Sequence, residues 1–137
     1  MASIFDIAGS AMNAQMLRLN TTASNLANAN TVSSTEQDAY RAKQAVFATV
    51  LEATSAAPTN PVGGVSVPEI VESQAPVPKR YEPGNPMANA EGYVYASNVN
   101  EVEEMANMIS ASRSYQSNAE IFNTTKTLML RTLQLGQ

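Results

Sequence analysis

The sequence predicts an α+β chain in which long N- and C-terminal helices pair as a coiled-coil-like hairpin around a small β-rich insert. Three observations carry this. The last stretch, Val99 to Leu135, has no Pro or Gly until Gly136 and reads as one helix, roughly 54 Å long at ~1.5 Å per residue. Residues 3–30 repeat apolar side chains three and four apart. Between them, Pro, Gly and Ser punctuate short runs of β-branched residues. The expected division is a terminal-helix unit, 1–31 with 99–137, and an insert, 32–98.

The long helix carries its own end signals. Asn98 and Asn100 can cap its start, Glu101, Glu103 and Glu104 load the first turns, and Lys126 and Arg131 lie near its end. Its stripe runs through Val102, Met105, Ile109, Ser112, Tyr115, Ala119, Phe122, Met129 and Leu133, broken by Lys126. Leu128, Leu130 and Leu135 lie off that stripe, so the final turns are apolar on more than one face. A helix wet on one side is not built so.

The first helix is expected to start at a Ser3 cap and to place Phe5, Ala8, Met12, Met16, Leu19, Ala23 and Leu26 on one side, a mean step of coiled-coil spacing. Its other face is the informative one. From Met1 to Thr31 the only charged side chains are Asp6 and Arg18; the rest of the polar set is Asn, Gln, Ser and Thr. Amides and hydroxyls can pair inside a packed interface without the desolvation cost of an ion. This helix is therefore expected to be contacted on most sides by other protein.

In the insert, Thr31–Asp38 reads as a Ser/Thr-rich loop. Tyr40–Leu51 alternates as a strand would, although its Ala and Gln also suit a helix. Ala53–Asn60 is a small-residue loop closed by Pro58 and Pro61. Val65–Glu72 reads as an edge strand interrupted by Pro68. Pro83-Gly84 marks a turn, and Gly92–Tyr95 a short strand leading into the long helix.

Composition excludes much chemistry. There is no Cys and no His, which removes thiolates, imidazole bases and the common zinc ligands. The net charge of −4 gives no basic footprint for nucleic acid. Only Asp6 and Asp38 could begin an oxygen-ligand loop, and Glu101, Glu103 and Glu104 are accounted for by the helix N-terminus. Catalytic, cofactor and metal sites are not expected, and neither is enzyme activity. No apolar run approaches the ~18–20 residues of a membrane span, and the first residues lack the basic-then-apolar pattern of a Sec signal.

The run Asn25-Leu26-Ala27-Asn28-Ala29-Asn30-Thr31 resembles the N-terminal signature of the flagellar rod and hook family of axial proteins. Glu91–Val94, Asn98–Asn100, Val102–Met105 and Asn107–Gln116 are similar to its short proximal-rod members, as are Tyr81–Pro86 and Thr127–Leu133. The match covers both ends and residues from about 81 onward; residues 32–75 match loosely. Val32-Ser33-Ser34 stands where an aromatic-containing turn is usual in the family.

The resemblance implies a structural subunit of the proximal rod of the bacterial flagellar basal body, built into a tube by its terminal helices and transmitting motor torque to hook and filament. It implies partners: copies of itself, other rod proteins, neighbouring basal-body components and the flagellar type III export apparatus, with no cleaved signal. It also points to an assembly interface at Phe5, Met12, Met16, Leu19, Asn25, Leu26, Asn28, Asn30, Met105, Ile109, Tyr115, Phe122, Met129, Leu130 and Leu133.

Overall fold

A computed structural model describes residues 4–52 and 62–135. The expected Ser3 cap and the Ala53–Asn60 loop with Pro61 lie outside these residues. The described chain runs α1 (Ile4–Ala27), β1 (Val32–Ser33), β2 (Lys43–Glu52), β3 (Val62–Glu72), β4 (Lys79–Tyr81), β5 (Tyr93–Ala96) and α2 (Glu101–Leu135). The expected α+β layout is the observed one.

The two helices form an antiparallel pair. Phe5 meets Phe122 edge-to-face, with ring centroids 4.8 Å apart. Farther along, Arg18 Nη2 donates to Asn107 Oδ1 at 2.9 Å, and Asn30 Nδ2 donates to Glu101 Oε1 at 2.6 Å. Covered positions recur in α1 at Phe5, Ala8, Met12, Gln15, Leu19, Thr22 and Leu26, and in α2 at Glu104, Met108, Ala111, Tyr115, Asn118, Phe122 and Thr125. Both series alternate steps of three and four, the spacing of a coiled-coil seam.

These seams correct the expected stripes. In α1 the seam takes Gln15 and Thr22, and leaves Met16 and Ala23 exposed. In α2 the stripe through Val102, Met105 and Ile109 turns outward; Val102 is 77% exposed. One residue of offset is about 100° of helix rotation. The inward side of α2 mixes Glu104, Ala111 and Asn118 with Met108 and Tyr115, so the run of large apolar residues Val102, Met105 and Ile109 points to the wrong side of its first turns.

Asn100 caps α2 as expected, its Oδ1 accepting from the N–H groups of Val102 (3.1 Å) and Glu103 (3.3 Å). Asn98 does something else. Its Oδ1 accepts from Ala42 N at 2.7 Å and its Nδ2 donates to Ala75 O at 3.0 Å, tying the start of the β-hairpin to the strand-to-helix joint.

Strands β2 and β3 pair antiparallel from Lys43↔Glu72 to Glu52↔Val62, so the stretch expected as strand or helix over Tyr40–Leu51 is a strand that begins only at Lys43. The register shifts where Val67 and Pro68 oppose Phe47 alone, so Pro68 sits in a bulge that does not require its missing N–H. A second sheet has order β1-β5-β4, with Val94 of β5 fully buried. Strands β1 and β4 were not expected: each is two or three residues long and exists because β5 offers it an edge. The Pro83-Gly84 turn is present, closed by Asn85 N donating to Glu82 O at 3.0 Å. Gly92 has φ +82°, and a Cβ there would lie 2.9 Å from Tyr81 Cε2, so glycine is required.

The core is thin. Among the described residues the buried apolar ones are Ala8, Ala14, Ala39, Ala42, Val77, Val94 and Ala111, and the largest fully buried side chains are Val94 and Asn25. The chain exposes 9377 Å². A compact monomer of 14.6 kDa would expose roughly 6,900 Å². The surplus, roughly 2,500 Å², is the scale of more than one standard protein interface at ~800 Å² per partner.

Candidate assembly interface

The asparagine signature at the end of α1 is used inside the subunit. Asn25 is 1% exposed and pairs with the backbone of Lys43 much as a neighbouring strand would. Its Nδ2 donates to Lys43 O at 2.7 Å, and its Oδ1 accepts from Lys43 N at 2.8 Å and from Tyr40 OH at 3.0 Å. The Tyr40 proton is thereby committed, so Ser24 Oγ, 3.2 Å away, donates to the Tyr40 oxygen. Farther up the same helix, Ser10 Oγ donates to Ile7 O at 2.9 Å and accepts from Val65 N at 3.1 Å.

Part of the uncharged face of α1, including Ser10 and Asn25, is thus covered by the chain's own β2–β3 hairpin, while Asn13 and Asn20 stay exposed. Asn28 and Thr31 finish the helix: Asn28 Nδ2 donates to Ser24 O at 2.8 Å and Thr31 Oγ1 to Asn28 O at 2.7 Å. Asn30 reaches Glu101 across the helix pair.

The fifteen residues expected at the interface therefore fall into groups. Asn25, Asn28 and Asn30 hold the subunit together. Phe5, Met12, Leu19, Leu26, Tyr115 and Phe122 lie half-buried along the two seams. Met16, Met105, Ile109, Met129, Leu130 and Leu133 are exposed apolar side chains, with Leu133 at 70%.

The last group is concentrated by geometry. Phe122 already lies opposite Phe5, one residue inside α1's first described residue. The turns of α2 from Lys126 to Leu135, about 15 Å of helix, therefore run on past Ile4. Every side chain in them is exposed, including Leu128, Met129, Leu130, Leu133 and Leu135. Ile4, Thr125, Leu128, Met129, Thr132 and Leu133 frame a shallow, largely apolar groove of about 490 Å³. Ile4, Ile7 and Ile121 extend this exposed apolar surface and escaped the sequence reading. All three lie off the expected stripes, and that displacement was the available signal.

Among the described residues no group of three or more acidic side chains converges as a metal site, and no helix is long and apolar enough to cross a membrane.

A paired helical stalk with one long apolar end, assembled from terminal segments, defines the class of axial building blocks. Comparison with known proteins agrees at both ends. Residues 5–32 match the family described as "Flagella basal body rod protein", and residues 90–135 match "Flagellar basal body rod FlgEFG protein C-terminal". Along its length the chain is 56% identical to "Flagellar basal-body rod protein FlgC" of Escherichia coli and of Salmonella typhimurium, covering 98% of this chain and 97% of each relative. The protein of the same name from Bacillus subtilis is 32% identical over 96% of this chain and 95% of its own length. The chain belongs to the FlgC family of flagellar basal-body rod proteins. It is a structural subunit of the basal-body rod.

Proposed function

We propose that the subunit enters the proximal rod through the apolar surface its own fold leaves open, chiefly the overhanging end of α2, and there serves as part of the drive shaft. In this reading the terminal unit, residues 1–31 with 99–137, forms the load-bearing wall. The insert, 32–98, braces α1 and faces outward. Its partners are copies of itself, other rod proteins and neighbouring basal-body components. The rod crosses the periplasm, and the subunit reaches it through the flagellar type III export apparatus without a cleaved signal.

The observation that carries the reading is the run Leu128–Leu135, whose five apolar side chains, interspersed with Arg131, Thr132 and Gln134, are all left exposed among the described residues. Exposed apolar surface of this extent marks an interaction site. Torque transmission asks for stiffness, and close-packed interfaces supply it because they barely compress. Heterologous contacts that do not close generate a helical tube.

The test is Leu130→Glu. A carboxylate buried unpaired at a subunit contact costs several kcal/mol, repeated in each copy. Cells carrying the variant should export it at the normal level and fail to swim. Normal swimming with the variant incorporated in the rod would remove this surface from the interface.

A further inference from the structure

The first turns of α2 carry two different surfaces on opposite sides. On one side Glu103, Glu104 and Asn107 wall a cleft of about 390 Å³ between α1, β2 and α2. On the other, Val102, Met105 and Ile109 stand exposed. At ~100° per residue the two sets lie about 170° apart around the helix. Cleft and stripe are therefore at the same height along the stalk with α2 between them, and the stripe cannot enter the cleft of its own subunit. The cleft suits an uncharged occupant. Its wall carries Arg18 and Lys43 beside Glu103 and Glu104, so its charges balance. The two cations also have partners inside the subunit: Arg18 Nη2 donates to Asn107 Oδ1 at 2.9 Å, and Lys43 Nζ lies 5.8 Å from the centre of the Tyr40 ring. The same wall leaves apolar surface uncovered, with Phe47 40% exposed beside Ala45 and the aliphatic stems of the two cations.

We propose that the stripe Val102, Met105 and Ile109 of one copy of this chain packs into the cleft of a second copy standing beside it. The proposal rests on the assembly reading above and names the lateral contact within it. The occupant is a second copy because this chain holds both halves of the contact at one height on opposite faces of one helix. Copies set side by side present stripe to cleft with little shift along the helix axis. The stripe brings no charge to a cleft whose own charges cancel, and Met105 can follow its irregular wall. Each copy keeps a free cleft on one flank and a free stripe on the other, so the contact repeats as the wall of a tube and does not stop at a dimer. The area allows it. One donating and one receiving patch of ~800 Å² each fit within the surplus surface of roughly 2,500 Å², with area left for the overhang.

The experiment is disulfide cross-linking in a chain that has no Cys of its own. Met105→Cys and Phe47→Cys are combined in one chain, and basal bodies from swimming cells are oxidised and separated on a non-reducing gel. The double variant should give a ladder of dimers and higher multimers. Each single variant should stay monomeric, and the two single variants expressed together should stop at dimers. Where Phe47→Cys prevents assembly, Gln44→Cys, exposed on the same wall, takes its place. A double variant that stays monomeric, or that joins only a chain of different mass, would overturn the proposal. Met105→Glu changes a side chain exposed in the free subunit, so it should keep the parental helix content by circular dichroism and abolish swimming. Parental swimming of that variant would also overturn the proposal. Leu130→Glu run alongside separates the two ideas. If it fails to swim while the double variant stays monomeric, only the lateral contact is wrong; if it swims, the assembly reading itself fails.

Discussion

Asn25→Ala should release the β2–β3 hairpin from α1 while leaving the helix pair in place. The substitution removes three hydrogen bonds: the donation from Nδ2 to Lys43 O and the two accepted from Lys43 N and Tyr40 OH. At ~1 kcal/mol net for each, the loss is roughly 3 kcal/mol, about a hundredfold in the opening equilibrium of the hairpin. Burial raises rather than lowers this figure, because the Lys43 N–H and C=O stay enclosed with nothing to bond. The assay is hydrogen exchange at the Lys43 amide in the purified subunit, which should quicken about a hundredfold. Tyr40→Phe removes the hydroxyl and its two hydrogen bonds, to Asn25 and from Ser24, ~2 kcal/mol by the same reckoning, and should quicken it no more than about thirtyfold. Unchanged exchange at Lys43 in Asn25→Ala would refute the clamp. If that variant also failed to build a rod, Asn25 would be acting between subunits.

Further outcomes follow from the same geometry. Gly92→Ala forces a side chain into φ +82° and against Tyr81, and should cost roughly 1–3 kcal/mol, read as a lower thermal midpoint of the purified subunit. Phe5→Ala removes the ring stacked on Phe122 at the open end of the pair; both rings are half-buried, so the loss should be about 1–2 kcal/mol, with amides around Phe122 exchanging faster. Asn100→Ala removes the cap of α2 and should cost ~1 kcal/mol, seen as fraying of Glu101–Glu104 by hydrogen exchange.

Much of the fold was legible because its signals are local. The long helix announces itself by the absence of breakers, and Asn100 by a side chain that bonds its own next turn. The hairpin shows in alternation and in the Pro68 irregularity. What the sequence hid depends on distant partners. Asn98 and Asn100 are the same residue type two positions apart, and only the position of Ala42 and Ala75 makes Asn98 a cross-brace. Strands β1 and β4 are too short to carry a pattern of their own.

The outward turn of Val102, Met105 and Ile109 has a further cause. A periodic apolar stripe reports burial without saying by which chain. The first half of α2 gives its partner helix Glu104, Ala111 and Asn118 beside Met108 and Tyr115, and sets Val102, Met105 and Ile109 outward. Asn25 shows the converse: amides that suggested contacts between subunits are spent within one.

If the free end of α2 is covered only in the rod, as proposed, a thiol placed on it reports that cover. Because the chain has no Cys, Leu133→Cys introduces a single thiol at a 70% exposed position. Its reaction with a maleimide, measured in the purified subunit and in intact basal bodies from swimming cells, tests the claim directly. The free subunit should label completely, and the rod little or not at all. Equal labelling in both would contradict it.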